Sequence, residues 1–149
     1  MIGSPAPEFA LYDQNKELVT NDSLKGNKAM VVFMPFPFTG ICDGEVCTIR
    51  DNYSSLASAD AKVVIITVHA VPTIIKWAAE NNIEFPVLAD YWPHGEVTKA
   101  FGVFNDTVGA AMRATFVLDE KGIVRAVVAT DSLKIKREFE NYTDALASF

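Results

Sequence analysis

Two cysteines, Cys42 and Cys47, carry the most specific chemistry in this sequence. Cys42 lies in the run Pro-Phe-Pro-Phe-Thr-Gly-Ile-Cys-Asp-Gly-Glu-Val-Cys, residues 35–47. With Thr39 as a helix N-cap, Cys42 takes the third helical position, where a capping box places Glu or Gln. A thiolate in that slot can accept bonds from free backbone N–H groups and feels the positive end of the helix dipole. Both effects favour the ionised sulfur, the form that acts as a nucleophile. The plain alternative is a buried, inert thiol. Cys47 follows five residues later. On an ideal helix that step rotates by ~140° and rises ~7.5 Å, which puts the two Cα atoms roughly 8.5–9 Å apart. A disulfide wants them within ~7 Å, so Cys42 and Cys47 can pair only if the helix opens. Gly44 lies between them and costs a helix about 1 kcal/mol relative to alanine, which lowers the cost of opening. Glu45 lies one turn beyond Cys42 on the same face, and spacing alone fits a solvated first-turn glutamate. The only histidines, His69 and His94, do not complete a zinc-finger spacing with the cysteines. Iron–sulfur ligation needs more cysteines, and there is no Walker or Rossmann glycine loop.

The elements around these residues follow from hydrophobic patterning. The run 29–34 (Ala-Met-Val-Val-Phe-Met) reads as a buried strand ending just before Pro35. Val46, Ile49, Tyr53 and Leu56 recur three and four apart and predict a helix over about 41–57. Cys42 therefore falls where a strand hands over to a helix, the place where open α/β sheets bind ligands. Residues 62–68 form a second buried strand and complete a βαβ unit, expected to cross over right-handed. Pro72 suits a helix first turn. The helix it starts has Ile74, Ile75, Trp77 and Ala78 on its apolar side and ends at Asn81-Asn82. Residues 85–88 are a short extended piece, and 94–101 a short helix. Two hairpins are expected. One joins 9–12 to 17–20 near the N-terminus, and the other joins 114–118 to 123–128 across Asp119-Glu120-Lys121-Gly122. Ile135, Phe139, Tyr142, Leu146 and Phe149 predict a closing amphipathic helix. These patterns give an α/β chain with a mixed sheet, and no linker or repeat divides residues 1–149.

Pro35-x-x-x-Thr39-x-x-Cys42 with Glu45 three residues on resembles the active-site signature of the peroxiredoxins. Asp90-Tyr-Trp-Pro-His-Gly95 and Phe101-Gly-Val-Phe104 resemble the alkyl hydroperoxide reductase E clade, and Arg113-Ala-Thr-Phe-Val117 resembles the strand that carries the family's active-site arginine. The resemblance covers nearly the whole chain. It implies one thioredoxin-fold domain and a thiol-dependent peroxidase that needs no cofactor and no metal. On this resemblance Cys42 attacks hydrogen peroxide or an organic hydroperoxide and becomes a sulfenic acid. Thr39 hydrogen-bonds the peroxide and Pro35 shields the site without a competing N–H. Arg113 stabilises thiolate and departing oxygen, and Glu45 orients Arg113. On residue type alone, Arg113 is equally a surface arginine on an edge strand, Thr39 a plain N-cap and Pro35 a strand terminator.

The second cysteine mixes two patterns. Cys-x4-Cys within one helix is that of the peroxiredoxin Q group, whereas the reductase E clade is described with one catalytic cysteine. Cys47 is accordingly the expected resolving cysteine, with attack by an external thiol on the sulfenic acid as the rival. Thioredoxin, a glutaredoxin-like protein and a low-molecular-weight thiol are the candidate reductants. A thiol–disulfide oxidoreductase or redox-sensing module on the same fold is the main alternative, disfavoured because such proteins prefer Cys-x-x-Cys. An inactive thioredoxin-fold binding module is a third reading, against which Thr39 and Arg113 stand. Trp77, Trp92, Phe33, Phe36 and Phe38 read as core and pocket wall, and Phe36, Phe38 and Trp92 suggest an apolar mouth to the site. The resemblance also implies a homodimer through loops holding Pro37, Trp92 and Phe104.

Composition agrees with an ordered, core-forming chain: half of its 149 residues are hydrophobic and 21% are charged. The net charge of −6 without a Lys/Arg cluster disfavours nucleic acid and anionic membrane as partners. Met1–Ser4 shows neither the basic nor the apolar region of a signal peptide. Two cysteines are not a secreted disulfide framework, so the expected compartment is the cytoplasm.

Overall fold

The computed structural model describes residues 1–149 and opens on the expected hairpin. β1 (Ala10–Tyr12) pairs antiparallel with β2 (Leu18–Thr20), Leu11 opposite Val19. Asp13 closes the turn by accepting the N–H groups of Asn15 and Glu17. There follow α1 (Asn21–Leu24), β3 (Lys28–Phe33), α2 (Gly40–Asp51), α3 (Tyr53–Ser58), β4 (Ala61–Thr67), α4 (Val71–Glu80) and β5 (Val87–Ala89). The chain continues through α5 (Glu96–Ala100), β6 (Phe104–Asn105), β7 (Ala110–Ala111), β8 (Ala114–Leu118), β9 (Val124–Ala129) and α6 (Phe139–Ala147).

The main sheet has the order β5-β4-β3-β8-β9. β3, β4 and β5 run parallel, while β8 is antiparallel to both β3 and β9. β3 is apolar on both faces because both are covered. Met30, Val32 and Met34 pack with Val46, Ile49, Leu56, Ile74, Trp77 and Leu146 from α2, α3, α4 and α6. Val31 and Phe33 pack on the other face with Ile66, Leu88, Phe101 and Phe116. The site sits at the C-terminal end of β3, on the α2 side.

Four details depart from the sequence reading. The helix expected over 41–57 breaks at Asn52, whose side chain donates to the Thr48 carbonyl at 2.9 Å and competes with the helix ladder. Ile75 is partly exposed, so the apolar side of α4 is Ile74, Trp77 and Ala78. The strand expected at 85–88 is shifted to 87–89. The closing helix begins at Phe139, not Ile135. Thr130 Oγ1 bonds the carbonyls of Ser132 and Ile135 and holds that stretch as a loop, with Ile135 facing solvent. The β6–β7 hairpin had no expectation attached to it; its strands are two residues each, too short to show a period.

Candidate active site

Thr39 has the extended backbone of an N-cap, and Cys42 is the third residue of α2, as the spacing predicted. The hydroxyl does not cap the helix. Thr39 Oγ1 donates to the Phe36 carbonyl at 2.6 Å and so tightens the turn before α2. Its oxygen keeps lone pairs with which to accept a proton donor. Pro35 is buried at the end of β3, and the next residue supplies the backbone contact: Phe36 N–H points at Cys42 Sγ at 3.4 Å. The sulfur is thus met by a loop N–H and not by the free N–H groups of the helix first turn. Cys42 is fully buried. Burial alone fits an inert thiol equally well, so its neighbours decide what it can do.

The decisive neighbour is Arg113, placed immediately before β8 by the antiparallel register of β8 on β3, which sets Ala114 opposite Phe33. β8 is interior to the sheet, not an edge strand, and Arg113 is only 3% exposed. Arg113 Nη1 lies 3.1 Å from Cys42 Sγ and 2.7 Å from Glu45 Oε1, while its Nε donates to the Leu133 carbonyl at 2.6 Å. The surface-arginine reading is therefore replaced by a buried guanidinium fixed from two sides. The solvated reading of Glu45 fails in the same way, since its side chain is 2% exposed.

Arg137 completes the cluster, and the sequence reading missed it. Its Nε and backbone N–H both reach Glu45 Oε2 at 2.8 Å, and its Nη2 reaches Oε1 at 2.9 Å. Its Nη1 donates to Thr115 Oγ1 at 3.1 Å, and Thr115 in turn meets the Tyr142 hydroxyl of α6. The error about the start of the last helix hid this residue: placed on a helix with Ile135, Arg137 falls on the polar side. The one signal available was a basic run, Lys134-Ile-Lys-Arg137, beside an otherwise acidic helix.

Burial works against the charge on Glu45, but the hydrogen bonds and charge of Arg137, with the charge of Arg113, outweigh it and hold the carboxyl below its ordinary range. Two guanidiniums and one carboxylate leave one net positive charge in a dry site, and the Cys42 sulfur is the group beside it able to supply the missing negative charge. Such an arrangement can stabilise negative charge on an atom beside Arg113 and offers preorganised donors to an oxygen that gains it. No group of three or more His, Cys, Asp or Glu side chains is placed to hold a metal ion.

A profile of the AhpC/TSA family matches residues 2–127. The chain is 42% identical over 148 residues to alkyl hydroperoxide reductase E of Mycobacterium tuberculosis, covering 99% of this chain and 96% of that one. The chain belongs to the AhpC/TSA family. Within it the chain falls with the alkyl hydroperoxide reductase E-like peroxiredoxins, which are thiol-dependent peroxidases, so the resemblance read from residues 35–45 and 90–117 is borne out. Among solved structures, peroxidoxin BcpB of M. tuberculosis superposes with a TM-score of 0.84 at 27% identity, over 98% of this chain and 94% of that one. Enterococcus faecalis AhpC superposes with a TM-score of 0.89 at 24% identity, over 99% and 90%, which fixes the fold as the thioredoxin-like type expected.

Three expectations about the surroundings change. Trp92 is 82% exposed and is no pocket wall. Pro37 is buried, and Phe104 lies in β6 with its ring against His94, so neither presents an open face. Phe36 is half-buried with its ring edge toward His69, whose imidazole is pushed below its usual range by burial and by the charge of His94. Cys47 is half-buried on another face of α2. Both cysteines are free thiols, and Cys47 Sγ donates to Asn81 Oδ1 at 3.4 Å.

Proposed function

We propose that this peroxiredoxin reduces hydrogen peroxide and organic hydroperoxides at Cys42 and resolves the product with Cys47. The observation that carries the reading is one guanidinium atom, Arg113 Nη1, in contact with both the Cys42 sulfur and Glu45. The Cys42 thiolate attacks the terminal peroxide oxygen. An S–O bond forms as the O–O bond breaks, the O–H proton stays on the oxygen now bound to sulfur, and the departing alkoxide or hydroxide takes a proton from solvent water to leave as alcohol or water. Thr39 Oγ1 accepts from the peroxide O–H, because its own proton is committed to Phe36. Arg113, held by Glu45 and Leu133, meets the developing oxyanion with a charge that needs no reorganisation. Pro35 presents no N–H to compete for the peroxide. Cys47 then attacks the Cys42 sulfenic sulfur. The S–S bond forms, and hydroxide leaves with the Cys47 proton as water. Thioredoxin, a glutaredoxin-like protein or a low-molecular-weight thiol restores the dithiol. The cytoplasm, where thiols are kept reduced, suits this cycle. No helix of the chain is long and apolar enough to cross a membrane.

Intact-mass analysis after one equivalent of hydrogen peroxide tests the reading. Wild type is expected to lose two hydrogens within the monomer in seconds, and Cys47→Ser to stop at the sulfenic acid and then over-oxidise. No mass change on that timescale would return the chain to a thiol–disulfide oxidoreductase. Full turnover of Cys47→Ser, with no internal disulfide in wild type, would assign resolution to an external thiol.

The same reading includes a homodimer, supported by the exposed rings of Trp92, Tyr91 and Phe38 on loops. Sedimentation at micromolar concentration is expected to give twice the 16.3 kDa chain mass, and a purely monomeric boundary would remove the dimer.

A further inference from the structure

Asp43 and Cys47 stand one turn apart on α2, and Trp77 and Asn81 stand one turn apart along α4 and its C-cap. The two pairs meet in register. Trp77 Nε1 donates to Asp43 Oδ1 at 2.7 Å, and the Cys47 thiol donates to Asn81 Oδ1 at 3.4 Å. Asp43 Oδ1 also accepts Phe38 N–H at 3.1 Å, so the same carboxylate ties the loop before α2. Asn81 is itself held: its Nδ2 donates to the Trp77 carbonyl at 3.0 Å, and its carbonyl accepts Arg50 Nη1 at 2.7 Å. Trp77 is fully buried, so its indole has a fixed position.

We infer that Trp77 and Asn81 of α4 are positioning residues for the cysteine helix: they keep the Asp43–Cys47 turn wound while Cys42 reacts, and their release sets the rate at which Cys47 reaches the sulfenic acid. This rests on the internal resolution proposed above. Cys42 faces Arg113 and Cys47 faces Asn81, directions that a five-residue helical step separates by ~140°. One thiol must travel for the S–S bond to form, and Asp43 lies within the segment that must unwind. Its bond to Trp77 pairs an ionic acceptor with a buried donor, the stronger kind of side-chain hydrogen bond. Breaking it leaves an indole N–H in the core without an acceptor, which favours the wound state. The clamp therefore keeps Cys42 against Arg113 until peroxide has reacted, and it prolongs the life of the sulfenic acid afterwards. Gly44 acts in the opposite sense. A Cβ added there would meet nothing within 4 Å, so only backbone freedom explains its effect on the helix.

Quenched-flow mass analysis of the step from sulfenic acid to disulfide tests the clamp. Asp43→Ala is expected to form the disulfide about tenfold faster than wild type, the factor expected for one such hydrogen bond, and to need more peroxide to over-oxidise. Asn81→Ala is expected to move the rate in the same direction. Asp43→Asn keeps a carbonyl oxygen for the indole but loses the charge, and is expected to fall between wild type and Asp43→Ala, whereas Gly44→Ala is expected to slow the step. A disulfide rate unchanged or lower in Asp43→Ala overturns the inference, as does Asp43→Asn behaving like Asp43→Ala. Amide hydrogen exchange over residues 42–47 of the reduced protein gives a readout that needs no disulfide: Asp43→Ala should exchange faster than wild type, and Asp43→Asn by a smaller factor. If wild type forms no internal disulfide, the resolution reading falls, and equal protection in Asp43→Ala and wild type then removes the clamp as well.

Discussion

Cys42→Ser is expected to reduce peroxide consumption to background, a loss of several orders of magnitude, because a serine hydroxyl is essentially un-ionised at neutral pH. The substitution is nearly isosteric at a fully buried position, and Arg113 Nη1 and Phe36 N–H can both donate to a serine oxygen. The fold should be retained but with a lower thermal midpoint, because serine leaves the positive charge of Arg113 and Arg137 without its second counter-charge, and circular dichroism of the variant separates loss of the nucleophile from loss of structure. An inert buried thiol would behave differently: its replacement would leave turnover as it was. Stopped-flow measurement of peroxide loss with excess thiol reductant decides between the two, and near-normal turnover in the variant would sink the assignment of Cys42. What makes the strong result expected is not the burial of the sulfur but the charged donor 3.1 Å from it. A thiol serving only as core would gain nothing from a desolvated guanidinium at that distance.

How far the sequence could be read depended on how local each signal was. The β3 run, the Thr39–Cys42 spacing and the two hairpins rest on periods and turn residues within about ten positions, and each is found where the pattern put it. Arg113 was visible only through the resemblance, because its burial depends on β8 lying between β3 and β9 and on a loop carbonyl from Leu133. Glu45 read as solvated because the helix pattern alone does not reveal two arginines 68 and 92 residues away in sequence. Arg137 was missed for a physical reason. Its backbone N–H is spent on Glu45, and so the segment before Phe139 is a loop although Ile135 and Phe139 have helical spacing. Asn52 shows the reverse case, a local side-chain bond that interrupts a good helical period. Ionic networks closed between distant segments leave no period in a sequence; they must be seen in three dimensions.

Glu45→Gln is expected to destabilise the fold by about 3–5 kcal/mol at neutral pH, the usual cost of breaking a buried ion pair by removing one partner. The Glu45 side chain is 2% exposed and the Arg137 side chain is fully buried, so water cannot take over the lost interaction. A glutamine can turn only one oxygen toward the four N–H···O contacts that Arg113 and Arg137 now make with Glu45 side-chain oxygens and would set its own NH2 against their donors. Two like charges would then face each other in the core. The pH dependence gives this loss a signature. Burial alone would raise the Glu45 pKa, but Arg137 and Arg113 prevail and the folded value lies below the ordinary 4.5. A carboxylate with a depressed folded pKa contributes stability in full above its unfolded value, and that contribution is lost as pH falls toward and through the folded value. Between the two values the unfolded state binds the extra proton, so wild-type stability rises with pH there. Glutamine has no such proton, so the gap in urea midpoint between wild type and Glu45→Gln should be widest at neutral pH and should close as pH falls below about 4.5. The activity should fall as well, since Arg113 loses the carboxylate that aims it at Cys42. A stability gap that stays constant from neutral pH down through that range would show that Glu45 is not held ionised by the two arginines. The charge balance proposed for Cys42, Arg113, Glu45 and Arg137 would then fail.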